Sequence, residues 1–99
     1  MFIVRETVTA KPGQAGKLSK LFRNVFNDPS VRILTDEVAD FNTVIIEMTF
    51  NNLSEFESLM DGYRKGQPAP TMVPDAFEQM SNFTEMYYTG KREIFRVVE

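Results

Sequence analysis

Four side chains in this sequence combine a reactive type with a position that could support chemistry: Arg5, Glu47, Tyr63 and Tyr87. A guanidinium such as Arg5 recognises a carboxylate or phenolate, and Glu47 could complete a charge pair beside it. A tyrosine donates a hydrogen bond, and it serves as an acid or base only when its pKa is shifted. We predict these four as ligand-binding residues, and the sequence assigns no catalytic residue.

Arg5 and Glu47 fall on the same predicted face of two neighbouring strands, and two interpretations of this pair are open. The charges could line a cleft and leave Arg5 free to meet a ligand. They could equally form a cross-strand ion pair at a dimer interface, a common stabilising arrangement in sheets.

Each tyrosine also has a structural alternative. Tyr63 could line a cleft beneath a mobile lid formed by residues 66–74, or it could pack at the edge of the core. Tyr87 and Tyr88 alternate along a strand, so at most one of them lines any given cavity. The alternative for Tyr87 is that its ring packs in the core with the hydroxyl group at the edge of the core.

The residue types that are missing exclude several classes of protein. The chain has no cysteine and no histidine, which removes thiol nucleophiles, disulfides, cysteine-based metal sites and the commonest general base. The acidic residues Asp36, Glu37 and Asp40 lack the spacing of a calcium loop. We therefore predict no metal and no cofactor.

Charge and hydropathy exclude other partners. The net charge is −3 and the basic residues are scattered, whereas nucleic-acid binding needs a concentrated positive face. Charge appears at Arg5, and no apolar run is long enough to cross a bilayer. We predict a soluble cytoplasmic protein that binds neither nucleic acid nor membranes.

Alternation and helical periodicity define the elements that must position these residues. Strands are predicted over 2–9, 31–38, 43–50 and 83–98, the last with an irregularity at Thr89-Gly90. One helix follows Pro12, a second begins after an Asn52 cap and stops at Gly66, and a short third begins at Pro74.

This order predicts one α+β domain over residues 1–99 with a ferredoxin-like βαββα(α)β fold. Right-handed crossovers place the first and third strands at the centre of a four-stranded antiparallel sheet with helices on one face. The uncovered face carries Ile3 and Ile45 beside Arg5 and Glu47, and the last strand adds more apolar residues. A half-apolar open face predicts a homodimer formed through that face.

The residues Lys11-Pro12-Gly13 before a Leu/Phe-striped helix, and the ending Gly90-Lys91-Arg92-Glu93-Ile94-Phe95-Arg96-Val97, resemble the dimeric α+β barrel superfamily. Within it the chain looks most like small NIPSNAP-type proteins and the antibiotic-biosynthesis-monooxygenase-like group. The resemblance implies a ferredoxin-like protomer, a dimer through the sheets and a ligand-sized cleft. It brings no catalytic residue, because relatives that oxidise aromatic substrates or degrade haem commonly use Trp and His, which this chain lacks.

Three functions remain as hypotheses. The first is binding of a small apolar or aromatic ligand in a cleft between sheet and helices. The second is a cofactor-independent monooxygenase of the antibiotic-biosynthesis type. The third is a non-catalytic protein-interaction module that uses the dimer or its apolar edge.

Overall fold

A computed structural model describes residues 1–99, the whole chain. Its elements, in chain order, are β1 (Phe2–Ala10), α1 (Ala15–Val25), β2 (Arg32–Thr35), β3 (Thr43–Phe50), α2 (Leu53–Arg64), α3 (Ala76–Gln79), a 3₁₀ turn (Phe83–Glu85) and β4 (Tyr87–Arg96). None of the helices has the length and apolar character needed to cross a membrane.

The four strands form one antiparallel sheet in the order β2-β3-β1-β4. The first and third strands are therefore central, and the predicted α+β ferredoxin-like topology is confirmed. Both crossovers carry helices to the same side of the sheet. We call that side the covered face and the opposite side the open face.

The core lies between the covered face and α1. Val4, Val44 and Ile46 alternate inward along the central strands, and Leu18 and Phe22 meet them from the helix. Alternation supplies one apolar face to each strand, while the three-to-four spacing of α1 supplies one apolar stripe. These two periodicities join helix and sheet into a single core.

Helix α1 begins later than the sequence pattern indicated. Residues 12–14 form a turn, with Gly13 at a φ of 79°, and the first helical residue is Ala15. Pro12 thus precedes the helix by a full turn. A left-handed φ at Gly13 needs no side-chain accommodation, so the chain reverses there before the helix starts.

Strand β2 is shorter than predicted, ending at Thr35 where the pattern extended to Val38. The Asp36 side chain accepts a hydrogen bond from the Thr43 backbone N–H at 3.0 Å. The N–H at the start of β3 is therefore bonded to a side chain and not to a backbone carbonyl of β2. For this reason the strand pairing stops and the turn begins at Asp36. Asn42, at a φ of 61°, completes the reversal, and asparagine tolerates that conformation better than most residues.

Strand β4 begins at Tyr87, and the segment predicted as its start forms a 3₁₀ turn instead. Thr9 pairs with Thr89, but Ala10 pairs with Tyr87, so Tyr88 is an extra residue opposite the Thr9–Ala10 step. This is a β-bulge. It lies just before the predicted Thr89-Gly90 irregularity.

The predicted Asn52 cap of α2 is present, but the return bond of the capping box goes to the residue before the cap. The Asn52 side chain accepts from the Glu55 N–H at 3.0 Å, and Glu55 Oε2 accepts from the Asn51 N–H at 3.0 Å. Asn52→Ala is expected to lower the free energy of unfolding by about 1 kcal/mol, because the N–H of Glu55 loses its partner. Urea denaturation followed by circular dichroism measures this change.

Asn51→Ala is the matched control for that measurement. The Asn51 side chain is exposed and makes no hydrogen bond, and the cap uses only its backbone. Its replacement should change stability by less than about 0.5 kcal/mol. Equal losses from the two substitutions would contradict a role for the Asn52 side chain.

Candidate functional site: the sheet–helix cleft

A cleft of about 620 Å³ lies between the covered face of the sheet and the helical layer. Ten of its fourteen lining residues are hydrophobic. We call it the sheet–helix cleft, and it is lined by Glu6, Val8, Phe22, Phe26, Ile46, Tyr63, Met72, Phe77, Met80, Phe83, Tyr87, Gly90, Lys91 and Arg92. Its size and its apolar walls are those of a small-molecule site.

The β4 bulge places Tyr87 in this cleft. Without an extra residue, Tyr87 would alternate with Gly90 and point to the open face. Because Tyr88 is that extra residue, Tyr87 pairs with Ala10 and Gly90 pairs with Val8, on the same covered side. A Cβ at Gly90 would lie 3.4 Å from Val8 Cγ1 and 3.8 Å from Tyr87 Cε2. The missing side chain therefore leaves room beside the tyrosine ring.

Aromatic rings form much of the wall. Phe83 stands between Phe22 and Tyr87, with centroid distances of 6.3 and 5.6 Å. Tyr63 meets Phe77 edge to face at 6.0 Å. These distances are typical of stabilising aromatic pairs. The cleft thus offers ring faces and edges to a flat apolar ligand.

A charged pair, Glu6 with Arg92, interrupts the apolar lining. Glu6 Oε1 accepts a hydrogen bond from Arg92 Nε at 2.7 Å, and the guanidinium also lies over the Phe56 ring at 5.8 Å. Burial raises the pKa of the Tyr63 hydroxyl above its ordinary value, and the negative charge of Glu6 raises it further. Tyr63 therefore stays protonated at neutral pH and can donate a hydrogen bond.

The sequence prediction did not include Glu6 or Arg92. The signal for Glu6 was its place in the alternation, since it shares a face with Val4 and Val8. A carboxylate in phase with core residues needs a partner. Arg92 on β4 is directly opposite Glu6 on β1. That pairing depends on the register between these two strands after the bulge, and the sequence pattern did not predict this register.

The open face holds the other two predicted residues. Glu47 is 6% exposed, with Arg5 Nε at 2.8 Å from Oε2 and Arg32 Nη2 at 2.5 Å from Oε1. Burial raises the pKa of Glu47, but hydrogen bonds from Arg32 and then Arg5 outweigh it and hold that pKa below its ordinary value. The carboxylate is ionised and shared by two cations.

The four predicted ligand-binding residues therefore divide between two sides of the sheet. Tyr63 and Tyr87 line the sheet–helix cleft, whereas Arg5 and Glu47 form an ion pair on the open face. Tyr88 is exposed, with Lys11 Nζ 5.8 Å from its ring centroid. The four side chains cannot contact one ligand together.

Residues 66–74 lie in the segment that connects α2 with α3. Met72 lines the sheet–helix cleft, and the Val73 N–H donates to the Val25 carbonyl at 2.8 Å, which ties the segment to the end of α1. A second cleft of about 490 Å³, with five hydrophobic residues among fourteen, is lined in part by this segment, and Ser58, Gln67 and Thr71 are among its lining. Movement of the segment as a lid stays a prediction.

The polar groups of the sheet–helix cleft are the Glu6 carboxyl group, the Arg92 guanidinium, Lys91 and the hydroxyls of Tyr63 and Tyr87. Together these groups can both accept and donate several hydrogen bonds. The structure contains no group of three or more His, Cys, Asp or Glu side chains that could hold a metal ion. The groups suit orientation of a hydroxyl or carbonyl at the end of an apolar ligand.

Solved structures share this architecture. An uncharacterised NIPSNAP domain protein from Burkholderia xenovorans superposes with a TM-score of 0.71 at 9% identity, covering 99% of this chain and 95% of that one. A NIPSNAP family protein from Agrobacterium tumefaciens gives a TM-score of 0.75 at 7% identity, covering 99% and 86%. A candidate antibiotic biosynthesis monooxygenase from Nitrosomonas europaea gives 0.69 at 8% identity, with full coverage of both chains.

The chain has the fold of these proteins. The predicted resemblance to the NIPSNAP and antibiotic-biosynthesis-monooxygenase-like group is confirmed for the architecture. No protein-family model matches the sequence, and no curated protein matches it. At identities of 7–9% the NIPSNAP-like fold is what the comparison establishes, and function has to be argued from the cleft.

Proposed function

We propose that this protein binds a small ligand with an apolar, aromatic body in the sheet–helix cleft of each protomer of a homodimer. The observation that carries the proposal is the cleft itself, about 620 Å³ with ten hydrophobic residues among fourteen. Tight packing fills most protein interiors, so a cleft of this size among Phe, Met and Tyr side chains is available volume.

The polar pair gives the ligand an orientation. Glu6 and Arg92 lie in the lining, and Tyr63 contributes a protonated hydroxyl. Because the two charges compensate each other, a neutral group that both donates and accepts hydrogen bonds suits them better than a bare ion. A phenol hydroxyl or an enol satisfies this requirement, with its ring among Phe22, Phe83 and Tyr87.

A direct test closes the cleft by substitution. Gly90→Leu is expected to weaken binding at least about tenfold, because its side chain would project beside Val8 and Tyr87 into the ligand's volume. The probe is 1-naphthol, an aromatic ring system with one hydroxyl, and isothermal titration calorimetry measures its affinity. The expected stoichiometry is one probe per chain.

Thr89→Leu is the matched control for this titration. It adds the same side chain one residue away, on the open face of the same strand, because Thr89 pairs with Thr9. Its affinity for 1-naphthol should equal that of the wild type. If Gly90→Leu and the wild type bind 1-naphthol with equal affinity, the ligand binds elsewhere. If the wild type shows no binding of 1-naphthol, an aromatic ligand of this kind is rejected.

A second candidate function is cofactor-independent oxygenation of a phenol in the same cleft. The Glu6 carboxylate favours it, because it can accept the phenol proton and so activate the ring toward oxygen. One oxygen atom of O₂ would enter the ring and the other would leave as water. The ring supplies the two electrons and two protons for that water by losing its O–H and ring C–H hydrogens, so that the product is a quinone. Oxygen uptake by the wild type but not by Glu6→Gln would support this reaction, and binding without uptake would reject it.

A further inference from the structure

The backbone of Thr49 carries a donor and an acceptor that no neighbouring strand uses. The Val97 N–H donates to the Met1 carbonyl at 3.0 Å, which fixes the phase of hydrogen bonding between β1 and β4. Because bonding residues alternate along an antiparallel strand, Ile3 also bonds to β4. Thr49 is the residue opposite Ile3 on β3. Its N–H and carbonyl therefore point away from β1, toward the β2 side of the sheet.

Strand β2 begins too late along the chain to pair with Thr49. Its first pair is Arg32 with Glu47, and the same register two residues further on would place Ser30 opposite Thr49. The chain turns there, because the Ser30 N–H donates to Asp28 Oδ1 at 2.8 Å. No hydrogen bond joins Ser30 to Thr49. One position on the edge of β3 is therefore open to an added strand.

This open position borders the second cleft. Thr49 is one of the residues that line the cleft, together with Ser58 and Leu59 of α2 and residues 67–71. The volume of about 490 Å³ lies within the range of ligand pockets. The second cleft shares no lining residue with the sheet–helix cleft. It is a separate site.

The lining of the second cleft favours a neutral ligand that carries an apolar group. The buried residues among the lining are all apolar, namely Val31, Met48 and Ala69. No lysine or arginine lines the cleft, and the single charged residue is Glu55, whose Oε2 already accepts from the Asn51 N–H at 3.0 Å. An anionic ligand finds no counter-ion here, and a cationic ligand finds only an engaged carboxylate. Amide groups and aliphatic side chains both find partners.

We propose that the second cleft binds a short, neutral, extended peptide that pairs with Thr49 as an added strand. One peptide residue accepts from the Thr49 N–H and donates to the Thr49 carbonyl, as in other cases of β-strand addition. The side chain of that residue lies on the open face with the Thr49 side chain, because directly opposite residues share a face. The side chains before and after it point to the covered face, where the apolar lining contacts them. This binding activity goes beyond the proposed function and does not depend on it.

A blocked tripeptide, acetyl-Leu-Ala-Leu-amide, is the probe for this site. Its central alanine supplies the paired N–H and carbonyl, and its two leucines supply side chains for the cleft. Titration into ¹⁵N-labelled protein, followed by two-dimensional NMR, should give a saturable shift of the Thr49 amide resonance with a Kd of about 1 mM or lower. The same peptide with an N-methyl group on the central alanine is the matched control. It should bind at least about tenfold more weakly, because it has lost the donor to the Thr49 carbonyl.

A bulky residue on α2 tests the position of the peptide. Ser58→Trp is expected to weaken binding of acetyl-Leu-Ala-Leu-amide at least about tenfold, because the added ring occupies volume of the second cleft. Glu57→Trp adds the same ring at an exposed neighbouring position that lines neither cleft. Its affinity for the peptide should equal that of the wild type.

Several results would overturn peptide binding at this edge. Equal affinity for the N-methylated peptide would mean that no strand is added. Equal affinity of Ser58→Trp and the wild type would place the peptide elsewhere, and so would competition with 1-naphthol. A Thr49 shift that follows protein concentration alone would show that a second copy fills the edge, and no saturable shift up to about 10 mM peptide would reject the site. Binding of 1-naphthol is titrated separately, so the proposed function stands or falls independently of these results.

Discussion

Phe22→Ala is expected to lower the free energy of unfolding by about 4 kcal/mol. Phe22 is 2% exposed and lies at the centre of the core, where it also meets the Phe83 ring. Truncation removes the transfer free energy of the ring and leaves a cavity that the sheet cannot close. Denaturation by urea, monitored by circular dichroism at one fixed protein concentration, gives the difference.

Phe41→Ala is the control for that experiment. Phe41 is 87% exposed in the β2–β3 turn, so removing the same ring there should alter stability by less than about 0.5 kcal/mol. A loss at Phe22 as small as the loss at Phe41 would contradict the described core. The affinity of Phe22→Ala for 1-naphthol should also differ from that of the wild type, because the Phe22 ring lines the sheet–helix cleft.

Glu47→Ala is expected to lower the free energy of unfolding by about 2 kcal/mol. Removal of the carboxylate leaves Arg5 and Arg32 facing the same site with like charges and no shared acceptor. The loss is smaller than for a fully buried ion pair because both arginines are largely exposed. Thermal unfolding at neutral pH, compared with Glu78→Ala at an exposed position on α3, measures it.

The same carboxylate gives stability a defined dependence on pH. The pKa of Glu47 in the folded chain lies below its ordinary value of 4.5, so the folded state holds the proton less tightly than the unfolded state. The stabilisation is complete above that ordinary value and is lost as pH falls through the folded pKa. Glu47→Gln should therefore lose less stability than the wild type between about pH 5 and pH 3. A parallel decline in the two proteins would show that other carboxyl groups carry the acid sensitivity.

Sequence periodicity predicted the architecture because the fold depends on strong, repeated signals. Strand β3 carries one wholly apolar face, Val44, Ile46, Met48 and Phe50, and the Asn52 cap marks the start of α2 within one residue. The ends of β2 and β4 were wrong because short-range hydrogen bonds decide them. One side-chain bond from Asp36 stops β2, and local turn geometry replaces the strand expected at Phe83.

The candidate site was predicted only in part, and the reason is geometric. Tyr63 and Tyr87 were selected by type, and the structure places both in the sheet–helix cleft. Arg5 and Glu47 were selected on the same basis but lie across the sheet, as their alternation required. Glu6 and Arg92 meet only because two strands distant in sequence share a register, and a bulge of one residue can reset such a register.

The β4 bulge also affects whether another extended chain can add to the edge of this sheet. Strand β4 is an edge strand of ten residues, and its outer side offers unpaired backbone groups to any extended chain. Tyr88 interrupts the flat ladder near one end, while Lys91, Arg92 and Arg96 add cationic side chains along the rest. Bulges and lysine or arginine side chains both discourage strand addition. The bulge that points Tyr87 into the sheet–helix cleft therefore also protects the molecule against edge-to-edge aggregation.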